Sequence, residues 1–495
     1  MDNELKSAEK VQQVNDIRFS LMSMVDDFGR VFFAGKKVYR AIENDKKEYC
    51  LSLLKSDLFK ELSEKGMVPI TRISDFQLEE FDLILEHEKL LETIPYEWTF
   101  TMLKDAAIAI LQINAICNKH GYELKDAHSY NVLFRGTQPV LVDVGSISPK
   151  ISSGNSWNAY NDYLASFVIP LLFWSENKFY IAHKLLESID HAILTIPNQS
   201  LKDSGLLQLL DMSKVAYQFK IGSKRIFSTK NKWEILSYIN EKTRTGIKRI
   251  LKRNTPIFSY EGGLDKSKKL SELFPYEHNM HLLNTLRAPS VTSRWQNYHQ
   301  EYFESSNDYT QRFKSILTII KGMKEVHTII DLAGNEGFFS KVLYKELNCQ
   351  RLIIADYDEN AIDAAYRRFR KLDAKNVYTI LLNFMYTTNQ EGTAGRLKSD
   401  LVLALAVSHH LLLSSGYSLS SIFERLVLYS KKYVMVEFMP LGLWSSEDKN
   451  NRSVLPIWYN IDWFRSVFEK YFDLLIEEKV EKNRVIFLGQ LNRRQ

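Results

Sequence analysis

Apolar and polar positions divide the chain into regions with different periods. From about residue 285 onward, "TIIDLAGNEGFFSKVL", "RLIIADYDENAIDAAYRRF", "SDLVLALAVSHHLLL" and "KKYVMVEFMP" each join a short apolar run to a polar turn or helically spaced segment. This alternation predicts strands and helices in turn, hence a parallel sheet covered on both faces. Upstream, "RVFFA" and "VYRAI" flank a turn at Gly35-Lys36-Lys37, and "FDLILEH" follows a charged helical stretch, which predicts short strands before residue 95. Residues 96–250 read as mainly helical. In "WTFTMLKDAAIAILQINAICNKHG", Leu103, Ala107, Ile110 or Leu111 and Asn114 fall on helical spacing and Gly121 ends the helix. Asn254–Pro275 mixes Pro, Gly and Lys without period and marks a linker over 251–284. The expected organisation is a flexible N-terminus over 1–14, one domain over 15–250 and a second over 285–495, with no internal repeat.

Composition narrows the classes. The chain has 495 residues, long for one core, and its hydrophobic and charged fractions of 45% and 25% are those of a globular protein. Its N-terminus, "MDNELKSAEK", is charged, and no uninterrupted apolar run approaches the roughly 20 residues of a spanning helix. The three cysteines, Cys50, Cys117 and Cys349, are far apart and form neither a disulfide framework nor a zinc spacing, so a reducing, cytoplasmic setting is expected. A net charge of +5 does not argue for nucleic acid. The basic residues concentrate between Lys214 and Arg253, ending in "KTRTGIKRILKRN". That stretch reads as a solvated helix face or as peripheral contact with the anionic inner face of a membrane.

Candidate chemistry in the C-terminal half lies at strand ends. "HTIIDLAGNEG" is an apolar strand, a turn holding Gly334 and Gly337, and a helix start near Phe338. Small residues there admit a ligand close to the backbone, and ligands of open α/β sheets bind at the carboxyl ends of strands. "LIIAD" ends a second strand at Asp356, whose carboxylate can accept two ribose hydroxyls. A further strand, "DLVLALAV", runs into His409 and His410, and "VMVE" ends at Glu437. These three are candidate bases, histidine first because it titrates near neutrality; the bland alternative is that the pair packs and caps a turn. The turn lacks the G-x-G-x-x-G spacing of a nicotinamide-dependent Rossmann enzyme.

Together these segments resemble the class I S-adenosylmethionine-dependent methyltransferases over roughly 290–490, Asp331–Gly337 lying close to the variant DLGANTG. Here Ala333 and Gly334 exchange the usual order of glycine and small residue. The resemblance implies that Asp331, Gly334, Asn335 and Gly337 surround the methionine portion of S-adenosylmethionine. It places Asp356 on the ribose and Asn383 of "TILLNFM" beside the adenine amine. "SRWQNYHQEYF" (Ser293–Phe303) resembles a cap helix over the cofactor.

In the N-terminal half, "YELKDAHSYNVLF" is a loop entering a strand and "PVLVD" a strand ending at Asp143. This puts Asp126, Asn131 and Asp143 at the ends of neighbouring short strands. Phosphoryl transfer needs such groups: a carboxylate for the attacking hydroxyl, and oxygen ligands for Mg²⁺ on the nucleotide phosphates. "KDAHSYN" fits D-x-H-x-x-N and resembles the catalytic loop of protein-kinase-like enzymes that act on small molecules or sugars; "DVG" (Asp143–Gly145) resembles their D-F-G. The resemblance implies Asp126 as base, Asn131 and Asp143 as metal ligands, His128 near the transferred phosphate and "LILEHEKL" facing adenine of ATP. Two features depart from it. The glycine-rich loop is reduced to Gly29, and Arg40 stands where a lysine is usual, its Glu partner open among Glu43, Glu48 and Glu61.

The expected fold class is an α+β kinase-like bilobal domain, its N-lobe ending near 95, followed by an α/β Rossmann-like class I methyltransferase domain. The whole chain resembles bacterial kinase-like/methyltransferase fusions of nodulation and surface-polysaccharide systems and, in reversed domain order, O-antigen chain-terminating kinase/methyltransferases. That resemblance implies methylation of a saccharide or sugar-phosphate acceptor, with the kinase-like half phosphorylating it or serving as an inactive pseudokinase for binding or regulation. A third reading is a scaffold that binds nucleotides as signals.

Overall fold

The computed structural model describes residues 17–20, 23, 26–151, 156–187, 276–289, 309–386, 390–443 and 454–492. The N-terminal 1–14, the basic stretch Lys214–Arg253, the Asn254–Pro275 linker and the Ser293–Phe303 cap segment lie outside the described residues.

The chain forms two compact units. The first takes Met1–Lys89, Leu103–Val132 and Pro139–Pro289; the second takes Leu90–Met102, Leu133–Gln138 and Ser290–Gln495. Two short N-terminal segments thus belong to the C-terminal unit.

In the first unit, β1 (Ile17–Phe19), β2 (Gly29–Ala34), β3 (Lys37–Ile42), β4 (Thr71–Ile73) and β5 (Leu83–His87) form one antiparallel sheet in the order β1-β2-β3-β5-β4. The turn between β2 and β3 is made by Gly35 at φ 59°. Helices α1 (Lys47–Lys55) and α2 (Asp57–Glu64) follow β3, and Cys50 and Leu53 of α1 are buried. Helix α3 (Phe100–Lys119), whose first residues up to Met102 fall in the second unit, ends before Gly121 at φ 81°, as its spacing predicts. By length and composition alone α3 is long and apolar enough to cross a membrane, although Lys104 and Asp105 interrupt its apolar run. Its Leu103, Ala106, Ala107, Ile110, Leu111, Ile113 and Cys117 are buried within the protein, which fits a core helix. After α3 come the pairs β6 (Tyr122–Leu124) with β9 (Ile147–Pro149) and β7 (Val132–Arg135) with β8 (Gln138–Leu141), the Leu133–Gln138 part of the latter hairpin belonging to the second unit. Helices α4 (Tyr160–Tyr163), α5 (Ile169–Ser175), α6 (Phe179–Leu186) and α7 (Tyr276–Thr285) complete the described part.

The second unit is built on a Rossmann-like sheet. Strands β10 (Thr328–Leu332), β11 (Arg351–Asp356), β12 (Val377–Leu381), β13 (Ser399–Ala404) and β14 (Ser430–Phe438) are parallel; β15 (Phe472–Glu481) and β16 (Arg484–Leu491) close one edge antiparallel. The order is β12-β11-β10-β13-β14-β16-β15, so the order of strand addition reverses between β10 and β13 while the strands stay parallel. The helices are α8 (Gln311–Lys321), α9 (Phe338–Glu346), α10 (Glu359–Lys371), α11 (Gln390–Leu397), α12 (Ser408–Leu413), α13 (Leu419–Tyr429) and α14 (Ile461–Phe468). Alternate residues of each central strand enter different cores. Ile329, Leu352, Ile354, Leu401 and Leu403 join one cluster; Ile330, Ile353, Val402 and Ala404 join the other. Each large aliphatic side chain so buried contributes about 1.5–3 kcal/mol. Two dry faces fix the register, which places the ends of β10, β11 and β13 side by side.

Candidate functional site

The turn after β10 is held in an uncommon backbone. Ala333, Asn335 and Gly337 have φ of 61°, 51° and 69°. Gly334 is not left-handed, but a Cβ on it would lie 2.9 Å from Ile354 Cγ2 and 3.0 Å from the Asp331 carboxylate. The exchange of Ala333 and Gly334 therefore puts a side chain at a left-handed position and the glycine where contact is closest. Ala333→Gly is expected to raise stability by about 0.5–1 kcal/mol, because the relieved αL strain exceeds glycine's entropic cost; denaturant unfolding midpoints of the full chain check it.

Asp356 anchors this turn. Its Oδ2 accepts the Asn335 N–H at 2.9 Å and its Oδ1 the Asp358 N–H at 2.9 Å. Burial pushes its carboxyl up to about 6, opposed by those two N–H groups. Asp331 is pushed up to about 7, by burial first, against the hydrogen bond that Ser340 Oγ donates at 2.7 Å. Glu336, buried, pairs with Arg368 at 3.3 Å, and the guanidinium lies 4.2 Å from the centroid of Phe338 at the start of α9. Gly334, Asn335 and Gly337 of the turn thus meet Asp331 of β10 and Asp356 from the end of β11. Asn383 is exposed beyond β12, and its Oδ1 accepts the N–H groups of Met385 and Tyr386 at 3.1 and 3.3 Å. The side-chain oxygen expected to meet an adenine amine is engaged in its own turn.

The three candidate bases are not equivalent. Glu437 is wholly buried: Arg312 grips both its oxygens at 2.7 Å, and Arg484 adds a contact at 2.8 Å. The Ala406 N–H also reaches this carboxylate, and Ser408 Oγ donates to the Glu437 main-chain oxygen at 2.6 Å. Burial opposes its charge, but the arginines hold the carboxyl below its ordinary value. The expectation of Glu437 as a base is corrected: it locks the turn after β13, where Ala406 has φ 53°. His409 is 5% exposed, its Nδ1 has no partner, and burial lowers it to about 3, with His410, Arg484 and Arg312 adding to the shift. It is neutral near pH 7 but a feeble base. The His410 ring lies 4.1 Å away, tilted by 41°, and is half-buried, which leaves it the more accessible of the pair.

In the first unit, β3 presents Arg40, 5% exposed, whose Nη1 bridges Asp26 Oδ2 at 3.0 Å and Asp143 Oδ1 at 2.9 Å. None of Glu43, Glu48 and Glu61 is its partner; Glu61 instead binds Lys119 and His120. Asp26 is raised, by burial first, against the pull of Arg40. The loop expected to be catalytic is internally bonded. Asp126 accepts the His128 N–H and Asn131 Nδ2 at 3.0 Å each, and Ser166 Oγ meets His128 Nδ1 at 3.4 Å. Asn131 and Asp143 flank the two ends of the β7–β8 hairpin, and the Val142 N–H donates to the Asn131 carbonyl at 2.9 Å, which brings the two residues side by side as expected. A divalent ion on Asn131 and Asp143 would have to share Asp143 with Arg40 in this arrangement. A guanidinium already neutralises Asp143, and among the described residues no three His, Cys, Asp or Glu side chains converge.

Asp26, Arg312, Arg484, Arg368 and Ser340 escape the sequence reading. "DDFG" was the one signal for Asp26. Arg312, Arg484 and Arg368 lie far along the chain from their partners, and Ser340, though near Asp331 in sequence, belongs to no motif that joins them.

No family model matches the chain. It is 26% identical over 386 residues to the nodulation protein NoeA of Rhizobium meliloti (strain 1021), covering 75% of this chain and 73% of NoeA. A match of that length extends beyond either half. Similar solved structures include the magnesium protoporphyrin IX methyltransferase of Synechocystis PCC 6803 with bound S-adenosylhomocysteine. It is 13% identical, covers 39% of this chain and 92% of its own, and has a TM-score of 0.31. A second is an S-adenosylmethionine-dependent methyltransferase of Clostridium acetobutylicum ATCC 824, 13% identical over 39% of this chain and 96% of that one, with a TM-score of 0.32.

Proposed function

We propose that the second unit is an S-adenosylmethionine-dependent methyltransferase. The observation that carries this reading is the turn Asp331–Gly337 tied to Asp356 at the carboxyl ends of β10 and β11. Gly334 lets the turn pack closely against Ile354 and Asp331, and the Asp356 carboxylate retains lone pairs for ribose hydroxyls beyond its two N–H partners. When bound, S-adenosylmethionine supplies an electrophilic methyl group. The Asn383 Nδ2, a donor, suits an adenine ring nitrogen better than the amine. His410 is the candidate to take a proton from the acceptor, and the Glu437 cluster fixes the turn that carries it.

The acceptor class, a saccharide or sugar-phosphate hydroxyl, rests on the resemblance to nodulation and surface-polysaccharide methyltransferases. The likeness to a nodulation protein adds to it. Transfer of label from methyl-labelled S-adenosylmethionine into a saccharide fraction tests it. Label that enters only protein or lipid counts against the acceptor class; label in no fraction counts against the enzyme reading.

The pH dependence follows from Asp356. Two donated hydroxyls favour the carboxylate, so binding lowers a pKa that burial has raised to about 6 and releases a proton. Affinity for S-adenosylhomocysteine is expected to be flat above about pH 7 and to weaken by up to about tenfold per unit below pH 6. Calorimetry between pH 5 and 8 checks the sign.

For the first unit, the Arg40 bridge to Asp143 favours the second reading: a kinase-like domain that binds or regulates and does not transfer phosphate. ATP hydrolysis or transfer that depends on Mg²⁺ and is lost in Asp126→Asn would contradict it.

A further inference from the structure

We propose that Leu90–Met102 and Leu133–Gln138 are positioning segments of the cofactor unit, holding the helix that follows Asp356 and so setting the affinity of the ribose site. This rests on the methyltransferase reading above. Helix α10 starts directly after Asp358, which caps it through the N–H groups of Asn360 and Ala361 and whose own N–H donates to Asp356. What fixes α10 therefore fixes the turn on which Asp356 sits.

Three contacts fix it. Asp363 of α10 is buried and accepts the Thr101 N–H at 3.0 Å and the Thr101 hydroxyl at 2.9 Å. Thr101 stands in the first turn of α3, where N–H groups lack partners inside the helix, so a carboxylate 262 positions away caps that helix. Further along α10, Tyr366 donates its hydroxyl to the Thr137 carbonyl at 3.0 Å, and its ring meets Phe134 edge-on at 6.0 Å. Beyond the helix, the Ala374 carbonyl accepts the Thr137 N–H at 3.1 Å. Gly136 has φ +60°, and a Cβ there would lie 2.0 Å from that same carbonyl oxygen. The contact is shaped for glycine and for nothing larger.

Leu90–Met102 also packs against β12, the edge strand. Thr379 Oγ1 lies 3.5 Å from Met102 Sδ, and buried Glu97 pairs with Arg396 of α11. A sheet edge left open is a hazard that proteins cover, and here residues from early in the chain cover it. Residues 285–495 accordingly do not make the cofactor unit by themselves.

The test uses the full chain with S-adenosylhomocysteine as probe, its affinity measured by calorimetry at a temperature where circular dichroism shows each variant folded. Thr101→Val removes the hydroxyl bond and keeps the shape, Thr101→Ser restores it, and Tyr366→Phe removes only the bond to Thr137. The dissociation constant is expected to rise about two- to thirtyfold in Thr101→Val and in Tyr366→Phe, and to stay near the wild-type value in Thr101→Ser. Gly136→Ala, if it folds, is expected to show at least as large a rise. A segment that only stabilised the fold would lower the unfolding temperature and leave affinity unchanged. Wild-type affinity in folded Thr101→Val and Tyr366→Phe overturns the proposal. No binding by the wild-type chain overturns the cofactor reading itself, and this proposal with it.

Discussion

Glu437→Ala is expected to destabilise the chain by about 3–5 kcal/mol, the largest effect of any single substitution considered. The carboxylate is wholly buried and faces two guanidinium groups, Arg312 through two bonds of 2.7 Å and Arg484 through one of 2.8 Å. Its removal leaves two cations with little solvent to replace it, and the Ala406 N–H loses its acceptor in a turn already strained by a positive φ. Arg484→Met is expected to cost less, because Arg312 still satisfies both carboxylate oxygens. The pH dependence has a definite sign. The folded pKa of Glu437 is depressed below its ordinary 4.5, so its contribution is complete above that value and disappears as pH falls through the folded pKa. Denaturant titration at pH 7 and again near pH 4 measures both. A loss below 1 kcal/mol in Glu437→Ala would mean that the cluster is solvated and does not lock the β13 turn.

Asp356→Ala is expected to weaken S-adenosylhomocysteine binding by on the order of 100-fold or more. Two ribose hydroxyls lose a charge-assisted acceptor, at about 1.5–3 kcal/mol each before relaxation. The turn is affected as well, because the Asn335 and Asp358 N–H groups lose their partner. Asp356→Asn keeps one oxygen and is expected to fall between the two, with affinity that no longer changes near pH 6. Calorimetry on both variants reads the order. Equal affinity in wild type and Asp356→Ala would remove the ribose from this position.

The C-terminal architecture was legible because its signals are local. A strand, a glycine turn and a strand-terminal Asp lie within about 30 residues, and the β11 carboxylate meets the β10 turn where the sheet order brings them. The hairpin at Gly35 and the span of α3 were legible for the same reason: a left-handed glycine and a helical period need no distant partner. What could not be read depends on pairing across long separations. Glu437 ends an apolar strand next to two histidines and therefore resembles a base; only the fold shows Arg312 from α8 and Arg484 from β16 upon it. Arg40 misled differently. Its charge suggested a glutamate partner, and the chain supplies aspartates from either side, Asp26 before β2 and Asp143 after β8. The inclusion of Leu90–Met102 and Leu133–Gln138 in the C-terminal unit has no sequence signal, since a glycine at φ +60° against a carbonyl looks like any turn glycine.

The central claim is that a nucleoside cofactor sits at the carboxyl ends of β10 and β11, and the most direct measurement is a crystal structure of the full chain with S-adenosylhomocysteine. The account predicts both ribose hydroxyls within hydrogen-bonding distance of the Asp356 carboxylate and the amino-acid portion against Asp331–Gly337. Crystals grown at saturating ligand that show this turn empty, or the ligand elsewhere, would contradict it.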